Sequence, residues 1–328
     1  MRISINTTRR LGVGIVAILL AIPGFAQPTA AYPSRPVRVV VPAAPGGPTD
    51  VVGRVLWQKV GDVLGQPFVL DNRAGAGGNI GGETVAKAAP DGYTLLMAAA
   101  GPIVINQSLY AKMPYDSVKE FLPISLVATS PVVLTTGIDS GVKSISELIA
   151  LVKSKPGEFS YSSPSVGTLP HLTTELLKRA AGLDIQHVPF KGAPPSQAAV
   201  MRGDVLFGFD TPYVMPLARA GKIRALAVST AARSALAPEL PTLIESGFPG
   251  LETTAWYGIY APVGTPRAIV LRLNAELVRA LADPTVRERL MQLGFEPVGS
   301  TPEQLAAHIS AEIPKWANAV KLSGAKAD

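Results

Sequence analysis

Residues 37–70 read VRVVVPAAPGGPTDVVGRVLWQKVGDVLGQPFVL, and the order of patterns in this stretch decides the fold class. Val37–Val41 is a β-branched run halted by Pro42, as expected of a buried strand. After a loop rich in Gly and Pro, residues 49–64 place Val52, Val55, Leu56, Val60, Val63 and Leu64 at helical spacing, with Thr49 or Asp50 as the N-cap. Residues 68–70 then form a second strand. Strand, helix and strand in this order make one unit of an α/β domain with a mainly parallel sheet.

Working outward, the glycine-rich run 75–82 leads into a helix ending near Ala89, and Pro90-Asp91-Gly92 turns the chain into a strand at 93–97. A second series starts near 131. It has strands at 131–136, 159–162, 185–188, 205–209 and 223–228, and helices after Ser144, over Leu169–Ala181 and near 196–202. Ser144-Ile145-Ser146-Glu147 and Thr301-Pro302-Glu303-Gln304 read as capping boxes, and Thr265-Pro266 opens a helix running to Leu281. The late helices have no sheet of their own, so they are expected to return to the first domain. That predicts two lobes, residues 32–130 plus 253–328 and residues 131–252, joined by two crossings with a cleft between them.

Of the 328 residues, 47% are apolar and 16% charged, with 31 Gly, 30 Pro and no Cys, which excludes a disordered chain, a coiled coil and a disulfide scaffold. Residues 1–10 carry Arg2, Arg9 and Arg10 without an acid, residues 11–22 are an apolar run, and Pro23-Gly24 precedes small residues. This is the order of an export signal over residues 1–31, cleaved after Ala26 or Ala31, by the Sec or the twin-arginine route. Removing residues 1–26 takes away three of the 30 basic residues and none of the 24 acidic ones, leaving a net charge of +3. No Lys/Arg block remains, so a nucleic-acid or membrane-surface role has no support. A periplasmic location is expected.

Catalytic patterns fail one by one. Gly75-Ala76-Gly77-Gly78-Asn79-Ile80 lacks the third glycine of a dinucleotide fingerprint, and residues 45–50 lack the Lys of a phosphate loop. Ser163-Pro164-Ser165-Val166-Gly167 lacks the first glycine of a nucleophile elbow. His171, His187 and His308 have no metal-ligand spacing. A non-enzyme without cofactor or metal is expected. A hydrolase arrangement such as Ser163, His171 and Asp210 stays open at this point.

The loops offer backbone instead. Gly46, Gly47 and Thr49 precede one helix start, and Ser163, Gly167 and Thr168 precede another in the second series. Helix N-termini present unpaired N–H groups and partial positive charge, which suits a carboxylate without Lys or Arg.

These residues fall within a longer set of marks: Tyr32-Pro33-Ser34-Arg35-Pro36, Pro45-Gly46-Gly47-Pro48-Thr49-Asp50, Asn72-Arg73, Pro90-Asp91-Gly92-Tyr93, Asn106 with Leu109-Tyr110, Gly167-Thr168 with His171, His187-Val188-Pro189-Phe190-Lys191-Gly192, and Trp316. In order and coverage the set resembles the solute-binding receptors of the tripartite tricarboxylate transporter family, the Bug-type periplasmic receptors. The resemblance implies a monomeric two-lobed Venus-flytrap protein of the periplasmic-binding-protein fold that captures a small carboxylic acid. It also implies docking on a membrane carrier of one large and one small integral subunit. By position, ligand contacts are expected from Pro45, Gly46, Gly47, Pro48, Thr49, Ala99 and Ala100 in the first lobe. In the second they are expected from Ser163, Gly167, Thr168, Asp210 and Thr211.

Ala98-Ala99-Ala100 carries no hydroxyl where relatives often do, and Phe190 stands where Tyr is frequent, which favours a less polar carboxylate than citrate. His171 is expected to orient its loop, Lys191 to be an exposed loop residue and Asp50 to cap its helix. Asp210 is a candidate acceptor for a ligand hydroxyl or amine, and Trp256 and Tyr257 are expected at the return crossing. A sensory receptor feeding a signalling protein would share the same fold and pocket.

Overall fold

A computed structural model of the chain describes residues 1–2, 32–210 and 214–327. The export signal falls in the part outside the described residues, and so does Thr211. All elements below belong to the unit Pro33–Asp328. The chain forms β1 (Val37–Val41), α1 (Pro48–Leu64), β2 (Phe68–Asn72), α2 (Asn79–Ala86) and β3 (Thr94–Ala99). A π-helical turn, Gly101–Ile105, and the short α3 (Asn106–Leu109) lead to β4 (Phe121–Pro131). Then come β5 (Val133–Thr136), α4 (Ile145–Ser154), β6 (Ser160–Ser163), α5 (Leu169–Ala181), β7 (Gln186–Pro189) and α6 (Ala193–Arg202). The second series closes with β8 (Phe207–Asp210), α7 (Met215–Arg219) and β9 (Arg224–Val228). The chain finishes with β10 (Thr254–Pro262), α8 (Arg267–Ala282), α9 (Pro284–Gln292), β11 (Glu296–Pro297) and α10 (Pro302–Ser323).

Two sheets result, ordered β11-β4-β10-β3-β1-β2 and β7-β6-β8-β5-β9. Both are mixed, which corrects the expectation of mainly parallel sheets. β1 pairs in parallel with β2 and β3, and β6 with β7 and β8. β10 runs antiparallel to β3 and β4, and β5 antiparallel to β8 and β9. The reason lies in the connections. Parallel return needs a crossover, usually helical. β4 instead runs on into β5 with only Val132 between them, and β10 follows an irregular stretch without a long helix.

β4 is the longest strand among the described residues, yet the sequence reading places no strand between residues 97 and 131. Pro123 argues against one, and it is tolerated because the pairing of β4 with β10 shifts register beside Tyr260, the partner of Pro123. The late helices do return to the first sheet. α8 packs on α1 and β4, and α10 on β4 and the π-helical turn. α10 is held by a buried acid, since Glu312 accepts the indole N–H groups of Trp316 at 2.7 Å and of Trp256 at 3.1 Å. Thr301 and Gln304 cap this helix reciprocally, as the sequence indicates.

The two crossings lie side by side, joined by one residue. Ser229 donates its N–H to Val132 O at 2.8 Å and accepts the Val132 N–H on Oγ at 3.1 Å. Its hydroxyl donates to Thr253 O at 2.7 Å, and its carbonyl accepts the Thr253 N–H at 2.8 Å. Ser229 is wholly buried, so these bonds are shielded from water.

Candidate ligand-binding cleft

A cleft of about 620 Å³ lies between the two sheets. Its first wall comes from the β1–α1 loop, residues 74–78 and the chain after β3. The β1–α1 loop owes its shape to Asp50. This buried carboxylate accepts the Gly46 N–H at 2.9 Å and takes a bidentate pair from Arg54 at 2.8 and 3.0 Å. Burial alone would raise its pKa. The Arg54 guanidinium, the Gly46 N–H and the Asn72 amide outweigh burial and hold the pKa below the usual carboxylate range. The N-cap of α1 is Gly47 rather than Thr49 or Asp50, and no side chain caps it. Residues 75–78 are pinned from behind by Asn106, whose amide donates to Gly77 O at 3.1 Å and to Asn79 Oδ1 at 2.7 Å. Gly78 permits this closeness, because a Cβ there would meet Pro42 and Pro102 at 3.2–3.3 Å.

The second wall comes from the loops entering α5 and α6. Ser165 O accepts the hydroxyls of Ser163 at 3.0 Å and Thr168 at 2.8 Å. Thr168 occupies the N-cap position of α5, but its hydroxyl is spent on Ser165 O and does not cap the helix. Gly167, at φ 74°, carries the loop past Leu109 of the first wall, where a Cβ would lie 1.8 Å from Leu109 Cδ2. The floor is Val132, Asp210 and residues 255–257 of β10. Burial, with the Asp210 charge adding to it, raises the Tyr257 pKa and keeps that hydroxyl protonated.

Three helices, α1, α5 and α6, begin at the cleft, and each has proline in its first turn. Among the described residues no acceptor takes the N–H groups of Thr49, Leu169 or Ala193. Among the described residues, Lys191 and Asp210 are the only lining residues of formal charge. The site therefore offers main-chain donors and helix ends within walls of Ala, Gly, Pro, Phe190 and Trp256.

Of the residues expected from sequence, Gly47, Pro48, Thr49, Ala99, Ala100, Thr168 and Asp210 line the cleft. Pro45 and Gly46 face outward, while Ser163 and Gly167 lie buried behind the lining. Sequence reasoning weighed Phe190 and Lys191 but missed the wall at 74–78 and the α6 entrance at 192–193. The first carried a signal, a glycine run ahead of a helix, that the failed fingerprint test set aside. The Ser163–His171–Asp210 arrangement is not formed. Ser163 pairs with His187 Nε2 at 2.7 Å, and His171 Nδ1 accepts the Gly167 N–H at 3.0 Å. Ser163 Oγ lies within hydrogen-bond distance of both Ser165 O and His187 Nε2.

Comparison with known proteins agrees with this architecture. A family profile, TctC, the tripartite tricarboxylate transporter family receptor, matches residues 52–324. Protein BugT of Bordetella pertussis is 39% identical over 325 residues, 98% of this chain and 99% of BugT. The structure of R. palustris Rpa4515 with adipate superposes with a TM-score of 0.87 at 37% identity, covering 89% of this chain and 98% of that one. MatC from Rhodopseudomonas palustris with bound malate gives 0.83 at 36% identity, covering 88% of this chain and 100% of that one. The family is one of solute-binding receptors and not of enzymes. Similar from end to end to receptors of its own length, the chain belongs to the TctC family of tripartite tricarboxylate transporter receptors, periplasmic solute-binding proteins of the Bug type.

Proposed function

We propose that this receptor captures a small carboxylic acid in the cleft and delivers it to a tripartite tricarboxylate-type carrier of one large and one small membrane subunit. The observation that carries the ligand class is the meeting of unpaired N–H groups from helix starts on both walls, Thr49 on one and Leu169 and Ala193 on the other. Such a site recognises a carboxylate by charge-assisted hydrogen bonds from the main chain. The relatives solved with adipate and malate support the same class. Residues 32–130 with 253–328 act as one moving body and 131–252 as the other, hinged where Ser229 joins the crossings. The chain reaches the periplasm as a monomer after loss of residues 1–26 or 1–31. Mass spectrometry of periplasmic protein should then find Gln27 or Tyr32 at its N-terminus.

Phe190, Leu169, Val132 and Trp256 favour a ligand with a hydrocarbon body over a densely charged one. Calorimetric titration with adipate, benzoate, malate and citrate tests both statements. Adipate or benzoate should bind more tightly than citrate. Failure of all four to bind would remove the carboxylate reading, and preference for citrate would remove the refinement.

A further inference from the structure

Behind the second wall stands a column of rings that carboxylate binding does not itself require. The imidazoles of His171 and His187 stack with centroids 4.0 Å apart and planes 19° apart, and the Tyr161 ring stacks on His187 at 4.8 Å. His171 is only 4% exposed. Each imidazole holds the loop 163–168 at a different point. His171 Nδ1 accepts the Gly167 N–H, and His187 Nε2 shares a hydrogen bond with Ser163 Oγ, which also reaches Ser165 O. The Gly167 bond fixes neutral His171 as its Nε2–H tautomer. A protonated His171 has no lone pair left for Gly167, and two imidazolium rings at this spacing repel one another.

We propose that the His171–His187 stack is a positioning device for the loop 163–168, and that acidification dismantles it and releases the carboxylate. The proposal rests on the cleft being the ligand site. Burial above all, with Lys178 acting in the same sense, lowers both imidazole pKa values from the ordinary 6.5 to about 4. For His187 the neighbouring His171 adds to this, while Glu175 acts in the opposite sense. Both charged residues belong to α5, where Lys178 lies 3.7 Å from Glu175 and Glu175 accepts the Tyr161 hydroxyl. From the sheet side, β6 and β8 present Tyr161 and Phe207 to the column. α10, on the other flank of α5, brings the Leu322 carbonyl to Arg179. Asp210 ends β8 and Lys191 follows β7 on the cleft side of the loop. Glu175, shared with Tyr161 and Lys178, offsets burial only in part, so the proton favours the open loop. Rehydrating one imidazole shifts the loop toward opening by ~30-fold between pH 7.5 and pH 5.

The test is amide hydrogen exchange of the ligand-free full chain at pH 7.5 and pH 5, expressed as protection factors that remove the intrinsic pH effect. Gly167 should lose about 10- to 30-fold of its protection, while Gly46, bound to Asp50, keeps its own. His171→Gln should abolish that pH dependence. Should it not fold, His171→Asn, whose Oδ1 can accept the Gly167 N–H without titrating, provides the same control. Equal protection of Gly167 at both pH values would overturn the proposal, as would an unchanged pH response in a folded variant. In a second arm, adipate affinity should fall at least tenfold from pH 7.5 to pH 5. Unchanged affinity would overturn the link to ligand release. No adipate binding at pH 7.5 would count against the ligand reading while the exchange result still judged the positioning device.

Discussion

The two walls of the cleft present the same donors but are braced by different chemistry. In the first wall an ionised acid, Asp50, gathers Gly46, Arg54 and Asn72, and an amide, Asn106, ties down Gly77. In the second wall hydroxyls and neutral imidazoles do this, and among the described residues no ionised side chain is bonded into the loop 163–168. A brace built on a carboxylate of lowered pKa keeps its charge state across the neutral and mildly acidic range. A brace built on imidazoles does not. Two helix starts can therefore offer equivalent anion sites and still differ in the conditions under which they persist.

The largest effect expected from breaking this comparison is at Gly167. Gly46 and Gly167 have similar positive φ, 76° and 74°, but a Cβ at 46 meets nothing within 4 Å while one at 167 strikes Leu109. Gly46→Ala should cost about 1 kcal/mol, the backbone strain alone. Gly167→Ala should cost about 3 kcal/mol or more in urea unfolding or in adipate affinity, and Leu109→Ala in that background should recover a large part. Equal costs for the two alanines would deny the contact between the walls any role.

Next is Asp50→Ala, which strands the Gly46 N–H and the Arg54 guanidinium and should lower stability by about 2–3 kcal/mol in the same unfolding assay. The pH dependence of stability sharpens the contrast. The unfolded imidazoles take protons near 6.5 and the folded ones only near 4. Stability is therefore unaffected above about pH 6.5, declines between there and pH 4 by up to ~1.4 kcal/mol per unit for each ring, and levels off below. Asp50, with its lowered pKa, contributes stability that is present above about pH 3.9 and lost only below it. Thermal unfolding from pH 7.5 to pH 4 should show the first decline, flattened in His171→Gln. Thr168→Ala removes one hydrogen bond to Ser165 O and should cost about 1 kcal/mol of stability by urea titration. Smallest is Lys191→Ala, which leaves the main-chain donors in place and should weaken adipate binding by no more than about 1 kcal/mol in calorimetry. A loss above about 3 kcal/mol would make Lys191 a direct partner of the carboxylate.

Much of this arrangement is readable along the chain, because strand, helix and strand patterns are local. β1, α1, β2 and the late helices follow from spacing and punctuation, and Gly47 and Thr168 mark helix starts by position. What could not be read depends on pairing across distance. β4 contains a proline that only a register shift opposite makes acceptable. Ser163 meets His187 and not His171 because β6 and β7 pair in parallel with Tyr161 opposite His187. This puts Ser163, two residues on, on the same face. The hydroxyl of Thr168 looks like a cap from sequence, but the turn at Ser165 claims it first.

One consequence follows from the donors being main-chain amides. A point mutation changes a side chain and leaves the amide where it was, so on the proposed reading recognition of the negative charge is carried by the path of the chain itself. The side chains lining the cleft, Phe190, Val132, Leu169 and Trp256, are then free of that duty. They can be exchanged to admit a different hydrocarbon shape while the anchor stays intact. A receptor built this way can diversify its diet by substitutions in the pocket without having to rediscover how to hold an acid.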